Sequence, residues 1–160
     1  MNILIIYYSS FGNTQLIAES IAETLRDKGY IRLIMADKLN HAELQQADLV
    51  IVGSPIYRHS SIDAVKALLK EVPDDLIHSI KVAAFDVHHR MARGKSGSTE
   101  RKITEDFQKD GVNMVVPPES FFVVGHTGPL EEGEIERAKE WAMFIAKHVD
   151  VHSIKRSREL

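Results

Sequence analysis

A chain of 160 residues with a net charge of −3 and no cysteine has the length of one ordinary domain, and at that size roughly 70% of the unfolded chain's surface can be buried without staples. The missing cysteines exclude disulfides, thiolate nucleophiles, thiolate zinc sites and iron–sulfur clusters, so any redox chemistry needs a bound cofactor. The small net charge gives no overall attraction to nucleic acid or to an anionic membrane.

From the amino terminus, residues 2–8 read as a buried strand, and the apolar run Ile3 to Tyr8 is too short for a signal core or a membrane span and lacks a basic leader. A cytoplasmic protein is therefore expected. A hydroxyl-rich turn follows, and Leu16, Ile17, Ala18, Ile21, Ala22 and Leu25 give a helix over 14–28 with one apolar face. Strands are predicted at 31–36, 48–53 and 80–86, with a short helical turn near 41–46 and helices near 60–71 and 98–110. A fifth strand over 112–124 is interrupted at Pro117-Pro118, which cannot donate ladder hydrogen bonds. The last helix, 132–148, carries a stripe of Ile135, Ala138, Ala142 and Ile145 around a core Trp141, with Glu131, Glu132 and Glu134 at the end where the helix dipole favours acid. No linker or repeat divides the chain, so residues 1–149 form one domain and the basic tail 150–160 is expected to fray.

Continuous apolar runs such as Leu4 to Tyr7 and Leu49 to Val52 suit a parallel sheet covered on both faces, and right-handed crossovers then give a doubly wound α/β fold with five strands. In such a sheet ligands bind at the carboxyl ends of the strands. Four loops gather there: 9–14, 53–59, 86–90 and 125–130. In the first, a helix opening at Thr14 points unpaired N–H groups and its positive dipole end over the turn, while Ser9, Ser10, Asn13 and Thr14 add side-chain donors and Gly12 lets the backbone curl. This cradle holds a phosphate without lysine, and the absence of Lys and Arg from 9–14 argues against a nucleotide triphosphate loop. The second and third loops form walls for a flat ring, with Tyr57 and His88 as planar candidates.

From Ile5 the chain reads aliphatic, aliphatic, aromatic, any, Ser, two of any, Gly, any, Thr, three of any, Ala, two of any, aliphatic, ending at Ala18 and Ile21. Every position of the phosphate-loop signature of flavodoxins is filled, and the likeness to that family runs through the element order to about residue 149. The segments Pro117 to Val123, Gly128-Pro129-Leu130 and Glu134 to Ala138 resemble a prokaryotic flavodoxin-domain subgroup. The resemblance implies strand order 2-1-3-4-5 and non-covalent flavin mononucleotide (FMN) serving electron transfer. Residues 9–14 (Ser9, Ser10, Phe11, Gly12, Asn13, Thr14) are then expected at the phosphate, Ser54, Pro55, Ile56 and Tyr57 along one side of the ring, and Asp86, Val87, His88 and His89 along the other. Asp86 is equally suited to capping its own loop.

Two departures from carrier flavodoxins bear on activity. Phe11 stands where carriers have Thr, as in flavodoxin-like NAD(P)H:quinone oxidoreductases, and Gly53-Ser54-Pro55 is similar to their Gly-Thr-Pro, so an FMN-dependent reductase is the alternative. A flavin-free binding module of the same fold is a further one. Carriers are acidic around the flavin, whereas Arg58, His59, His88, His89, Arg90, Arg93 and Lys95 make this rim basic. An acidic redox partner or anionic small-molecule acceptor is expected, together with better tolerance of an anionic reduced ring. A homodimer is left open. The histidines lack the spacing of a metal site. Serine catalysis is excluded by the lack of a nucleophile elbow. A phospho-acceptor receiver is excluded because Tyr7-Tyr8-Ser9 stand where its acids belong.

Overall fold

A computed structural model of the protein describes residues 1–8, 11–55, 61–90 and 111–158, the side chains of 61–64 and 150–158 aside. The described elements are β1 (Asn2–Tyr7), α1 (Asn13–Thr24), β2 (Tyr30–Met35), a 3-10 turn (Ala36–Lys38), α2 (His41–Gln46), β3 (Leu49–Pro55), α3 (Ser61–Leu69), α4 (Asp74–Ile77), β4 (Lys81–His89), β5 (Asn113–Met114), β6 (Glu119–Val123) and α5 (Glu134–Arg158). The predicted helix at 98–110 lies outside the described residues.

All six strands pair in parallel, in the order β2-β1-β3-β4 with the last position shared. β5 lies beside Lys81 and Val82, and β6 beside Phe85 to His89. The single interrupted strand expected over 112–124 is thus two strands on one edge, parted by Pro117-Pro118. The 2-1-3-4-5 order holds with this fifth position split. Strand alternation sends Ile3, Ile5, Leu49, Ile51, Ala83 and Phe85 into one core with α1 and α5, and Leu4, Ile6, Val50, Val52, Val82 and Ala84 into the other. In the first core Phe85, Phe121 and Trp141 meet edge to face at centroid distances of 5.7, 5.9 and 6.0 Å, the arrangement that aromatic quadrupoles favour. Trp141 is a core residue, as its helical spacing predicted.

Two strands outrun their predicted ends, and both extensions bear on the site. β3 continues through Ser54 and Pro55, and β4 through Val87, His88 and His89, because β3 pairs with β4 up to Pro55 and Val87 and β6 pairs with β4 from Phe85 to His89. Ser54, Pro55 and Asp86 to His89 are therefore strand residues rather than loop residues. α5, expected to end near residue 148, continues to Arg158. Val149 is fully buried, no Gly or Pro interrupts the run after Gly133, and Lys155, Arg156 and Arg158 suit the negative end of the dipole.

β6 is tied to the start of α5. Glu134, 4% exposed, accepts the Phe122 N–H at 2.8 Å and two bonds from Arg137 at 2.8 and 2.9 Å. Burial pushes the Glu134 carboxyl up, but the hydrogen bonds from Arg137 and Phe122 and the charges of Arg137 and Arg90 outweigh it, holding the carboxyl below its ordinary range. The same bond to Glu134, against desolvation, raises Arg137. Arg137 also donates to the Ser120 carbonyl and lies over the Phe121 ring at 4.9 Å.

Candidate functional site

The first loop breaks into α1 through Gly12, whose φ of +82° is left-handed. A Cβ there would meet nothing within 4 Å, so the backbone conformation, not space, calls for glycine. The Leu16 N–H makes the first helical bond, to the Gly12 carbonyl at 3.1 Å. That leaves Asn13, Thr14 and Gln15 as the opening turn, and none of their three N–H groups meets an acceptor among the described residues. Thr14 is 2% exposed, and its hydroxyl finds no partner among the described residues. β1 is where chain order reverses, with β2 on one side and β3 on the other, so this bundle of donors sits at the topological switch point.

Asn13 does something the sequence did not disclose. Its Nδ2 donates to the Thr127 carbonyl at 3.0 Å, so part of its donor capacity is committed to the last loop rather than to a ligand. Gly128 makes room for it: φ is +102°, and a Cβ would stand 2.6 Å from Asn13 Nδ2. The bridge draws the last loop over the first and closes a small crevice lined by Phe11, Asn13, Thr14, Pro55, Val87, Val123 and His126. His126 comes from loop 125–130, expected at this edge; Val123 was not expected there. The pairing of His89 with Val123 brings it in, and no local motif announces a strand register.

Strand parity sorts the remaining candidates. Pro55, Val87 and His89 share the α1 and α5 side of the sheet, and the His89 and His126 rings lie 6.0 Å apart. Ser54, Asp86 and His88 alternate to the α3 side. Ser54 is buried, and its hydroxyl donates to the Pro55 carbonyl at 3.2 Å. His88 is buried with Nδ1 3.1 Å from the His89 carbonyl, which makes that nitrogen the protonated one, and its ring meets Phe122 edge-on at 5.2 Å. Burial pushes the Tyr8 hydroxyl at the end of β1 above its ordinary range. Ser9, Ser10, Ile56 and Tyr57 lie outside the described residues, as do Arg58, His59, Arg93 and Lys95.

Arg90 differs from the basic rim expected of it. Its Nε–H is shared between the two Glu131 oxygens at 2.7 and 2.9 Å, and the guanidinium lies 4.3 Å over the Phe122 ring. It is neutralised locally and braces β4 against the start of α5. No cluster of three metal-ligating side chains occurs among the described residues. Nor, among them, is any helix long and apolar enough to cross a membrane.

A family model described as a flavodoxin domain matches residues 4–126. The chain belongs to the flavodoxin domain family. An archaeal flavodoxin superimposes with a TM-score of 0.69 at 20% identity, over 94% of this chain and 99% of that one. Oxidised flavodoxin 1 from Bacillus cereus gives 0.69 at 20% identity over 92% and 99%. The rubredoxin oxygen:oxidoreductase of Desulfovibrio gigas gives 0.66 at 23% identity, over 94% of this chain but 36% of that larger one. No curated protein matches the chain. At these identities the superpositions speak for the flavodoxin fold alone.

The described residues fit a phosphate monoester. Three N–H groups that meet no acceptor among the described residues, a buried hydroxyl and a helix dipole converge, with no carboxylate among the described residues that line the crevice, which suits a dianion.

Proposed function

We infer that this flavodoxin-domain protein binds FMN non-covalently and carries electrons between redox partners. The observation that carries the reading is the left-handed Gly12 opening α1 at the switch point, with the Asn13, Thr14 and Gln15 N–H groups and the Thr14 hydroxyl left for a phosphate. Ser9 and Ser10 precede them in sequence and add hydroxyl donors. The carboxyl ends of β3 and β4, with Pro55 on one and Val87 on the other, flank the position for a flat ring, and Ile56 and Tyr57, which follow Pro55 in sequence, are its expected contacts.

When bound, FMN supplies one- and two-electron redox chemistry. The chain's own part is to hold and orient. Thr14 and the first turn of α1 fix the phosphate end, and the Asn13 bridge to Thr127 holds the last loop over it. Arg58, His59, Arg93 and Lys95 carry the proposal of an acidic partner or anionic acceptor. Arg90, paired with Glu131, is not among them.

Titration of the purified protein with FMN and with riboflavin tests the reading. FMN is expected to bind at least tenfold more tightly, since the phosphate contributes charge-assisted hydrogen bonds worth roughly 1.5–3 kcal/mol each. Equal affinity for the two flavins, or none for either, overturns it. Reduction of the bound flavin by NAD(P)H alone identifies the reductase instead of the carrier.

A further inference from the structure

Residues 9–14 contain no Lys or Arg, so a phosphate dianion at the start of α1 meets there only N–H groups, a hydroxyl and a helix dipole. The dipole amounts to about half an elementary charge. The remaining charge has to be offset from outside the first loop. Arg90 is committed to Glu131. Among the described residues that line the crevice, His126 is the one side chain able to take a positive charge near neutral pH.

The loop that carries His126 is held in place at both ends and at its tip. Val123 and Leu130 pair antiparallel, the Val124 N–H bonds the Pro129 carbonyl at 2.9 Å, and the Glu131 N–H bonds the Phe122 carbonyl at 2.9 Å. Residues 124–129 are thus closed into a hairpin loop on the end of β6. The Asn13 bond to Thr127, the residue after His126, ties the tip of that loop to the first turn of α1. From α1 the groups around the imidazole are the uncharged Asn13 and Thr14 and the positive end of the helix, and from β4 the His89 ring at 6.0 Å. Its own loop, residues 124–130, holds no other titratable side chain. Glu131, the next residue, has its carboxylate taken by Arg90.

We propose that His126 is a further ligand-binding residue of this crevice and takes up a proton as the phosphate monoester docks, so that capture of the ligand is coupled to pH. The inference rests on the reading of the crevice as an FMN phosphate site. One proton passes from solvent to the imidazole, and no bond of the ligand changes. An opposite charge within about 4–6 Å favours the charged form of a titratable group by roughly ten- to a thousandfold, and the lower figure suits a side chain that is exposed to solvent, as His126 is. The sign separates this proton from the ligand's own. A phosphate monoester loses its last proton near about pH 6, so selection of the dianion by the helix releases protons, whereas charging His126 takes them up.

Calorimetric titration at pH 7 in phosphate-free buffers of different ionisation enthalpy counts the protons. Uptake of about half a proton per FMN is expected and none with riboflavin, and FMN affinity should fall about threefold from pH 7 to pH 8.5. His126→Gln should abolish the uptake, flatten the pH profile and weaken FMN about threefold at pH 7, with riboflavin unchanged. His126→Lys fixes the charge, so it should also take up no proton yet bind FMN at pH 8.5 more tightly than the wild type. His148→Gln, at an exposed position far along α5, should change none of these. FMN binding without proton uptake overturns the inference and leaves the FMN reading standing. So does uptake that survives His126→Gln, or that is equal with riboflavin. Failure of both flavins to bind, or equal affinity for the two, overturns both.

Discussion

Replacing Thr14 by Val separates the phosphate contact from everything else Thr14 does. Thr14 is 2% exposed, and valine keeps the β-branched outline, so packing of the first turn against β1 is retained and only the hydroxyl is lost. In the free protein that hydroxyl has no partner among the described residues, so its removal strands no donor or acceptor and the melting temperature should hardly move. In the complex, a hydrogen bond to a charged group contributes roughly 1.5–3 kcal/mol, which is about a ten- to hundredfold rise in the FMN dissociation constant. Riboflavin has no phosphate and should bind as before, and Thr14→Ser should recover most of the loss for FMN. Fluorescence titrations of both flavins at one fixed salt concentration measure this. Equal weakening of the two ligands, or no change in either, would refute the placement of the phosphate at the start of α1.

Glu134→Gln removes a buried carboxylate from Arg137 and from the Phe122 N–H and should cost about 1–3 kcal/mol at neutral pH. Because the folded-state pKa of Glu134 is depressed, the wild-type advantage is complete above the unfolded value and fades as pH falls through the folded one, so the two stability curves should converge as pH falls below the unfolded glutamate value of about 4.3. A constant gap over that window in chemical denaturation would show that the charge contributes nothing. Gly53→Ala puts a methyl group 2.1 Å from Cζ of Phe85, a ring with no exposed surface, and should cost roughly 1–3 kcal/mol by overpacking. Phe85→Leu should relieve part of that cost in the double variant, and strict additivity of the two changes in urea unfolding would rule out the clash.

What was legible in the sequence was what local chemistry decides. The turn at Gly12, the helix that follows it and the apolar strands each need only a short window of residues. The crevice needs more. Val123 and His126 reach it because β6 continues the edge that β5 begins, and the register of β6 on β4 is settled by residues more than thirty apart in sequence. Arg90 read as a rim charge because Glu131 is distant in the chain. The same holds for Asn13, which offered a phosphate donor in sequence and turns out to be spoken for by Thr127. The length of α5, by contrast, could have been read: no Gly or Pro follows Gly133 to stop it.

The bond from Asn13 to Thr127 spans 114 residues, and it sets when the crevice comes into being as the chain is made. A polypeptide emerging from its amino terminus displays the Gly12 turn early, yet lacks Val123, His126 and the carbonyl that Asn13 grips until residue 127 has been synthesised. Contacts so distant in sequence are closed late in folding. Ligand capture is thereby deferred until the last strand has docked, and occupancy of the crevice reports completion of the whole sheet.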